Sequence, residues 1–369
     1  MTRAFVGTLN RRVPYGPTAA GPGLAVFAFD AASGALGARR EVGGIDNPSY
    51  LAIDAAGCTL YAASEVYGWH EGVVTAWRID AATGALAYIN QQPTRGSITA
   101  HVGFDRSGRW LLAANYRMGE DGVRPAQALV VFPIEADGGL GPPTASVAHA
   151  GHGPNAARQE GPHPHCALAS PDNRHILVAD LGIDRIMVWC FDGATGALAP
   201  AAHPGVALAP GSGPRHMVFD AAGRFLHVIN ELASTVTTLA WDGAHGTLTP
   251  IATVATLPPD WHGENHCSDV QLSPDGRFLY GANRGHDSIA IFAVDQASGR
   301  LAPAGHHPTQ GRTPRQFTLT PDGRFLLIAN QNADALVVLA RDPASGALSD
   351  SGHRGAIGTP MCVKLAPAG

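Results

Sequence analysis

Two patterns of alternating apolar and polar residues recur along the chain, and both predict short β-strands. The first pattern is an apolar alternation that ends in an acid and continues through a turn, as in FAFDAASGAL and WRIDAATGAL. It occurs seven times, with the acids Asp30, Asp80, Glu135, Asp192, Asp242, Asp295 and Asp342. These acids are about fifty residues apart, which is a period typical of propeller blades.

The second pattern is a hairpin of two half-apolar runs joined by a tight turn such as DAAG or SPDG. Six complete copies begin at Tyr50, His101, His165, Arg215, Asp269 and Arg315. A seventh copy is split between the termini, because residues 361–369 supply its first strand and residues 4–10 its second. Pairing these two segments in one blade would close a ring without leaving an exposed sheet edge.

These repeats predict an all-β fold, a seven-bladed β-propeller with four-stranded blades, as a single domain over residues 1–369. Each blade runs from an inner strand through the second and third strands to an outer strand. The alternative is a pair of β-sandwiches whose turns are similar by accident, which the seven copies and matching termini disfavour.

Composition and charge narrow the function classes. The chain has 369 residues, 45% of them hydrophobic and 15% charged, with a net charge of −5. This balance gives no basic surface for nucleic acid or anionic membranes. Five widely spaced cysteines indicate free thiols in a reducing compartment. We therefore expect a cytoplasmic protein, either monomer or homodimer, with a small-molecule partner and no nucleic-acid or membrane partner.

Polar residues recur where inner strands begin and second strands end, and in a hairpin these two points lie at the same end. Arg215 and Glu231 would therefore lie together although they are distant in sequence. Each such residue alone is more commonly a turn cap or a paired surface charge. Their convergence predicts a site, to which the long loops 10–23, 115–127, 149–163 and 258–265 could also contribute. The rim set includes Asn47, Ser49, Glu65, Thr99, His101, Asn115, Tyr116, His163, His165, Asp180, Arg215, His216, Asn230, Glu231, His266, Ser268, Asn283, Arg284, Arg315, Asn330, Gln331, Thr359 and Asn10.

Two other chemistries are weaker alternatives. The HxHC and HxxxH spacings could suggest metal, but zinc needs at least three ligands in fixed geometry, and an extended HxHC segment directs its histidines and its cysteine to opposite faces. The chain has no GxSxG motif, and no cysteine has a partner nearby in sequence that would activate it. We expect neither a metal nor a cofactor.

Three segments carry a family resemblance: GSGPRHMVFDAAGRFLHVINELAS, LSPDGRFLYGANRGHDSIAIF and NPSYLAIDAAGCTLYAASE. They resemble the seven-bladed propeller lactonase family, which includes bacterial propeller-type 6-phosphogluconolactonases and the fungal 3-carboxy-cis,cis-muconate lactonizing enzyme. The resemblance covers essentially the whole chain. It implies a metal-independent site of one histidine, two arginines and a glutamate, matched here by His165, Arg215, Arg284 and Glu231.

The resemblance also matches Ser49 and Glu65, and with the rim residues His101 and Arg315 they form the expected substrate-binding set. His163 lies two residues before His165, so either histidine could face the site. The segments 117–124 and 261–265 match no motif of the family. They leave the phosphorylation state of the substrate open.

The predicted reaction is hydrolysis of a sugar lactone, with 6-phospho-glucono-1,5-lactone as the preferred substrate. Glu231 or His165 would accept the proton of the attacking water, with a slight preference for Glu231. Arg215 and Arg284 would hold the developing oxyanion or a substrate anion. The alternatives are opening or cyclisation of a muconolactone-type acid and a non-catalytic propeller that binds a ligand.

Overall fold

The computed structural model describes residues 2–16, 18–117 and 126–366, so part of the predicted loop 115–127 lies outside the described residues. The described chain forms 28 strands and two 3₁₀ turns, Leu181–Ile183 and Gln331–Ala333. The strands are β1 Thr2–Thr8, β2 Leu24–Phe29, β3 Leu36–Val42, β4 Pro48–Ile53, β5 Thr59–Ser64, β6 Val73–Ile79, β7 Leu86–Pro93, β8 Ser97–Phe104, β9 Trp110–Arg117, β10 Leu129–Pro133, β11 Ala145–Val147, β12 Pro164–Ala169, β13 His175–Asp180, β14 Arg185–Asp192, β15 Ala197–Ala207, β16 Pro214–Phe219, β17 Phe225–Asn230, β18 Thr235–Asp242, β19 Thr247–Ala255, β20 His266–Leu272, β21 Phe278–Arg284, β22 Ser288–Val294, β23 Leu301–Pro308, β24 Pro314–Leu319, β25 Phe325–Asn330, β26 Ala335–Arg341, β27 Leu348–Ala356 and β28 Pro360–Ala366.

The strands form seven antiparallel sheets of four, which confirms the predicted blades. Six sheets use consecutive strands, from β4–β7 through β24–β27. The seventh has the order β28-β1-β2-β3, and its terminal strands pair from Arg3 opposite Ala366 to Gly7 opposite Cys362. The prediction that the termini share one blade is therefore also confirmed.

The core lies between neighbouring blades. Every adjacent pair of sheets shares one cluster of buried apolar side chains, including the cluster around Phe27 and Phe325 beside the closing blade. The second strands are covered on both faces; β5 is buried at all six positions. The outer strand β3 is mostly exposed. This gradient explains why the second strands have nearly continuous apolar sequences, as strands buried on both faces do.

The recurring turn residues fix the hairpins. In the turn between β16 and β17, the Asp220 carboxylate accepts the backbone N–H groups of Arg224 and Phe225 at 2.6 and 2.8 Å. Gly223 has a φ of +68°, which favours glycine. These contacts lie at the end of the hairpin opposite Arg215 and Glu231. They therefore stabilise the hairpin and take no part in the site.

Candidate active site

The inner strands share one irregularity near their N-terminal ends. In β16 the pairing shifts between Pro214 and His216, so Arg215 is the extra residue, as in a β-bulge. Equivalent shifts in β4, β12 and β24 place Ser49, His165 and Arg315 at the same position of their strands. The repeat therefore carries these four predicted residues to one level of the central channel.

The ends of the second strands supply the partners of this level. Glu65 follows β5, Glu231 follows β17, and Arg284 is the last residue of β21. These residues border a cavity of about 430 Å³, which we call the site cavity. Six of the eight predicted site residues line it: Glu65, His165, Arg215, Glu231, Arg284 and Arg315.

The two remaining predicted residues do not border the site cavity. Ser49 lies in the narrow neck beneath it, beside His165 and Arg215, and its Oγ is buried without a hydrogen-bond partner among the described residues. His101 lines a separate cavity of about 470 Å³ farther along the channel, which we call the lower cavity.

The position of His101 follows from the strand register. The extra residue in β8 is Ala100, so His101 occupies the position that His216, and not Arg215, occupies in β16. Its ring lies 4.5 Å from that of Tyr50, and its Nε2 lies 3.7 Å from Cys166 Sγ. His101 therefore lies one position beyond the level of Arg215, in the lower cavity, and not at the rim as predicted.

Glu231 is the centre of a cluster of three arginines. Arg158 donates from Nη2 to Oε1 at 2.6 Å, and Arg284 Nη2 lies 2.9 Å from Oε2. Arg215 Nε also lies 2.9 Å from Oε2, although its N–H is not aligned for a hydrogen bond. Burial alone would raise the pKa of Glu231, but the three cations outweigh burial and hold this pKa far below its usual range.

Arg215 is itself almost fully buried. Burial and the neighbouring Arg284 lower the pKa of Arg215 to about 10, although Glu231 acts in the opposite direction. The guanidinium is therefore still charged at neutral pH. Because this cation is buried, its electrostatic interactions with any group that enters the cavity are stronger than they would be in water.

A second carboxylate, Glu65, has a different environment. Arg315 Nη2 lies 3.1 and 3.3 Å from its two oxygens, and the Tyr15 hydroxyl donates to Oε1. The Arg315 guanidinium also lies over the Tyr15 ring, 4.8 Å from its centroid. Glu65 is thus paired with one arginine and one phenol, whereas Glu231 contacts three arginines.

Both candidate histidines line the site cavity, but their surroundings differ. His163 stacks on Tyr116, approaches Glu160 at 3.2 Å and contacts the Tyr116 carbonyl at 2.8 Å through Nδ1. His165 has a buried Nδ1 without a described hydrogen-bond partner. Burial, with Arg215 nearby, lowers the pKa of His165 well below its usual range, so this imidazole is neutral at pH 7.

Several residues of the cavity were not predicted individually from the sequence, among them Tyr15 and Arg158. Both lie on the long loops 10–23 and 149–163, which the sequence had marked only as segments. Gln159 anchors the second loop through Leu181 O and Asp184 Oδ1, both at 2.8 Å. Loop length was the only sequence signal for these two residues, because each loop occurs once and has no equivalent in the other blades.

The charge of the site cavity favours anions. Five arginines line it against three glutamates, an excess of two positive charges among the described residues. Arg117 and Arg158 are the more exposed arginines, with side chains 27% and 33% accessible, whereas Arg215 is 2% accessible. The cavity therefore has a deep cationic end and a cationic rim.

Within the described residues, no three His, Cys, Asp or Glu side chains are grouped as a metal site requires. Of the histidines considered as ligands, His266 approaches Glu264 at 3.2 Å and borders the site cavity. None of the described helices has the length and apolar character needed to span a membrane.

Comparison with known proteins agrees with this architecture. The family described as "Lactonase, 7-bladed beta-propeller" matches residues 3–365. The chain is 35% identical to the 6-phosphogluconolactonase of Bacillus subtilis, covering 80% of each chain. It is 33% identical to the 6-phosphogluconolactonase of Formosa agariphila, covering 85% of each.

A solved structure is similar over its full length. The periplasmic gluconolactonase PpgL of Pseudomonas aeruginosa superposes with a TM-score of 0.89 at 32% identity, covering 100% of this chain and 99% of that one. The family match and these relatives agree with the observed ring of seven blades. The chain belongs to the seven-bladed β-propeller lactonase family.

Proposed function

We propose that this lactonase hydrolyses sugar lactones and that its preferred substrate is 6-phospho-glucono-1,5-lactone. One observation carries the proposal: the neutral His165 shares one cavity with Arg215 and Arg284, and the rim of this cavity has further arginines. The curated relatives named 6-phosphogluconolactonase support the same substrate.

The deep end of the site cavity suits ester opening. Water attacks the lactone carbonyl carbon, and the carbonyl oxygen gains negative charge that Arg215 and Arg284 would stabilise. His165 would take the proton of the water, since a neutral imidazole has a free lone pair. The bond from the carbonyl carbon to the ring oxygen then breaks, and the ring oxygen receives the proton to become a hydroxyl.

The surroundings of Glu231 favour a different role from that of a base. Three arginines contact the Glu231 carboxylate, so protonation of this carboxylate would remove three favourable charge interactions. A carboxylate with so low a pKa accepts a proton poorly. We therefore assign proton transfer to His165, and we assign Glu231 the task of holding Arg215 and Arg284 in place.

The rim arginines are candidates for the phosphate. Arg158 is reached from solvent and still contacts Glu231, which connects the rim to the deep end. Guanidinium groups bind phosphate through paired hydrogen bonds, and each such charged contact contributes about 1.5–3 kcal/mol. The substrate would then lie with its lactone carbonyl deep and its phosphate at the rim.

The test is a lactone panel followed by NMR or pH-stat, corrected for uncatalysed opening. It contains the phosphorylated gluconolactone, its unphosphorylated analogue and a muconolactone. We expect Arg158→Gln to lower kcat/KM for the phosphorylated lactone about tenfold more than for the unphosphorylated one. Arg174→Gln serves as the control, because Arg174 pairs with Asp172 in a hairpin turn away from the site cavity.

Each failure has a distinct meaning. Equal losses on both gluconolactones would remove the phosphate assignment of Arg158. Faster turnover of the muconolactone would favour the alternative carboxylate substrate. No acceleration of any lactone by the wild-type protein would refute the proposed activity and favour a ligand-binding propeller.

We also propose the cytoplasm as the compartment, supported by five cysteines that are all free thiols. The similarity to a periplasmic gluconolactonase makes the periplasm the competing location. Fractionation of cells that express the native gene, with marker enzymes for both compartments, tests the choice. Recovery of the protein in the periplasmic fraction would overturn it.

A further inference from the structure

Beneath the site cavity, His216 and Asp269 form a buried pair that the proposed reaction does not use. His216 Nδ1 lies 2.8 Å from Asp269 Oδ1, and both side chains are at most 5% accessible. The pair lies where the neck meets the lower cavity, because His216 lines both and Asp269 lines the lower one. It therefore approaches the deep end of the site from the side of the lower cavity.

The protonation of the pair is set by its surroundings. Burial alone would raise the pKa of Asp269, but the hydrogen bond from His216 and the charges of His216 and Lys364 lower it to about 2. Burial and Arg215 lower the pKa of His216 to about 4, although Asp269 acts in the opposite direction. At neutral pH the carboxylate can only accept, so Nδ1 of a neutral His216 carries the proton and Nε2 has the lone pair.

That lone pair faces Arg215. His216 Nε2 lies 3.4 Å from Arg215 Nη1, and the same Nη1 donates to the Ser268 carbonyl. Glu231 Oε2 forms an ion pair with the same guanidinium, 2.9 Å from Nε. The His216 ring also packs edge-on against His165, with centroids 5.3 Å apart. His216 thus touches two of the three groups proposed to carry out the reaction, Arg215 and His165.

We propose that Asp269 and His216 are positioning residues: Asp269 fixes the His216 tautomer that accepts from Arg215, and this contact orients the guanidinium toward the lactone oxyanion. The inference rests on the proposed role of Arg215. With the opposite tautomer, an N–H group of His216 would point at the guanidinium and the acceptor would be lost. An Asp–His pair orients a catalytic group in the same sense in serine hydrolases.

The first test is the Asp269→Asn variant. An amide can donate to Nδ1, so this substitution permits the wrong tautomer. We expect kcat to fall roughly 10- to 100-fold with KM nearly unchanged, because the lost contact acts on the transition state. Nitrogen-15 NMR of the His216 ring should show Nδ1–H in the wild type and a shift toward Nε2–H in the variant.

A matched control separates positioning from general loosening of the fold. Gln271 donates to Asp269 Oδ2 at 3.2 Å and lines the same lower cavity. We expect Gln271→Met to keep kcat near the wild-type value even if the melting temperature falls. An equal fall in kcat for Gln271→Met and Asp269→Asn would overturn the proposal.

Variants of His216 keep the test decisive if Asp269→Asn does not fold. In His216→Gln the amide oxygen can occupy the place of Nε2 and accept from Arg215, whereas His216→Asn keeps only the contact with Asp269. We expect Gln to retain more kcat than Asn. We also expect Asp269→Asn to cause no further loss of kcat when added to His216→Asn.

The outcomes also separate this inference from the proposed function. Additive losses, or equal kcat in the two His216 variants, would refute the positioning role while lactone hydrolysis by the wild type still stands. If the wild type opens no lactone, the proposed function fails, and the NMR tautomer still tests the Asp269–His216 pair.

Discussion

The two cavities of the channel share a scaffold and differ in what else reaches them. The residues that line the lower cavity all belong to inner strands, such as Tyr50 to Ile53 in β4. The site cavity is lined largely by strand ends and loops, including Tyr15, Tyr67 and Arg158. The site cavity therefore collects charged side chains from loops as well as strands, and loops on a rigid scaffold are where binding groups are expected.

The charges follow this division. The site cavity has five arginines and three glutamates, whereas Asp269 and Lys364 are the charged side chains lining the lower cavity among the described residues. In β16 the two cavities are separated by one residue, because Arg215 lines the site cavity and His216 lines the lower cavity. If this division is correct, substitutions at the deep end of the site cavity should reduce catalysis most, and substitutions in the lower cavity should reduce it least.

The largest effect is expected for His165→Asn, which removes the proposed proton acceptor. We expect kcat to fall roughly 10²–10⁴-fold, the usual contribution of general acid–base catalysis, with a smaller change in KM. Steady-state kinetics on the phosphorylated lactone measure both. Turnover within a few-fold of the wild type would contradict the assignment of His165.

The pH profile of the wild type is the companion measurement for His165. The base must be neutral to accept a proton, and the pKa of His165 is lowered, so activity should persist as the pH falls below 6.5 before an acidic limb appears. This limb should disappear in His165→Asn. A limb that persists unchanged in that variant would belong to another group.

The next effect is expected for Glu231→Gln, which leaves three arginines without their shared anion. Removing one partner of a buried ion pair costs roughly 3–5 kcal/mol, so thermal and urea unfolding should show a large loss of stability. Arg215 and Arg284 should also lose their positions, raising KM and lowering kcat. The acidic limb of the pH profile should remain, because His165 is intact. Its loss would restore Glu231 as the base.

The repeated and the unrepeated parts of the site differ in how far the sequence predicts them. The blades, the ring closure and the positions of Arg215, Arg315 and Glu231 follow from the repeat, since equivalent positions in each copy reach equivalent places. His101 was assigned one residue out of register, because only the bulge at Ala100 separates the two levels. Tyr15 and Arg158 could not be predicted, because their loops occur once and their contacts depend on tertiary packing.

A smaller effect is expected for Tyr15→Phe, which removes the phenol that donates to Glu65. Arg315 still pairs with this carboxylate, so the net loss should be about 1 kcal/mol, equivalent to roughly fivefold in KM. Tyr67→Phe is the control, because Tyr67 also lines the cavity and its ring, which Phe retains, lies 5.4 Å from the Arg117 guanidinium. A larger effect of Tyr67→Phe would mean that the phenol of Tyr15 has no special role.

The smallest effect is expected for His101→Asn, and it tests the division most directly. Burial and His216 lower the pKa of His101 well below its usual range, so the substitution removes no charge at neutral pH. Its ring lies among Tyr50, His216 and Cys166, and no contact with Arg215 is found within the described residues. We expect kcat and KM to change by less than about twofold, with a stability loss of about 1 kcal/mol.

His216→Asn is the matched comparison, since His101 and His216 occupy the same register position in their strands and only His216 approaches Arg215. If both substitutions lowered kcat equally, the whole level of the channel would act on the site as a unit. A loss confined to His216→Asn would show instead that the effect passes through the Arg215 contact, because the two substitutions remove the same imidazole from the same level of the channel.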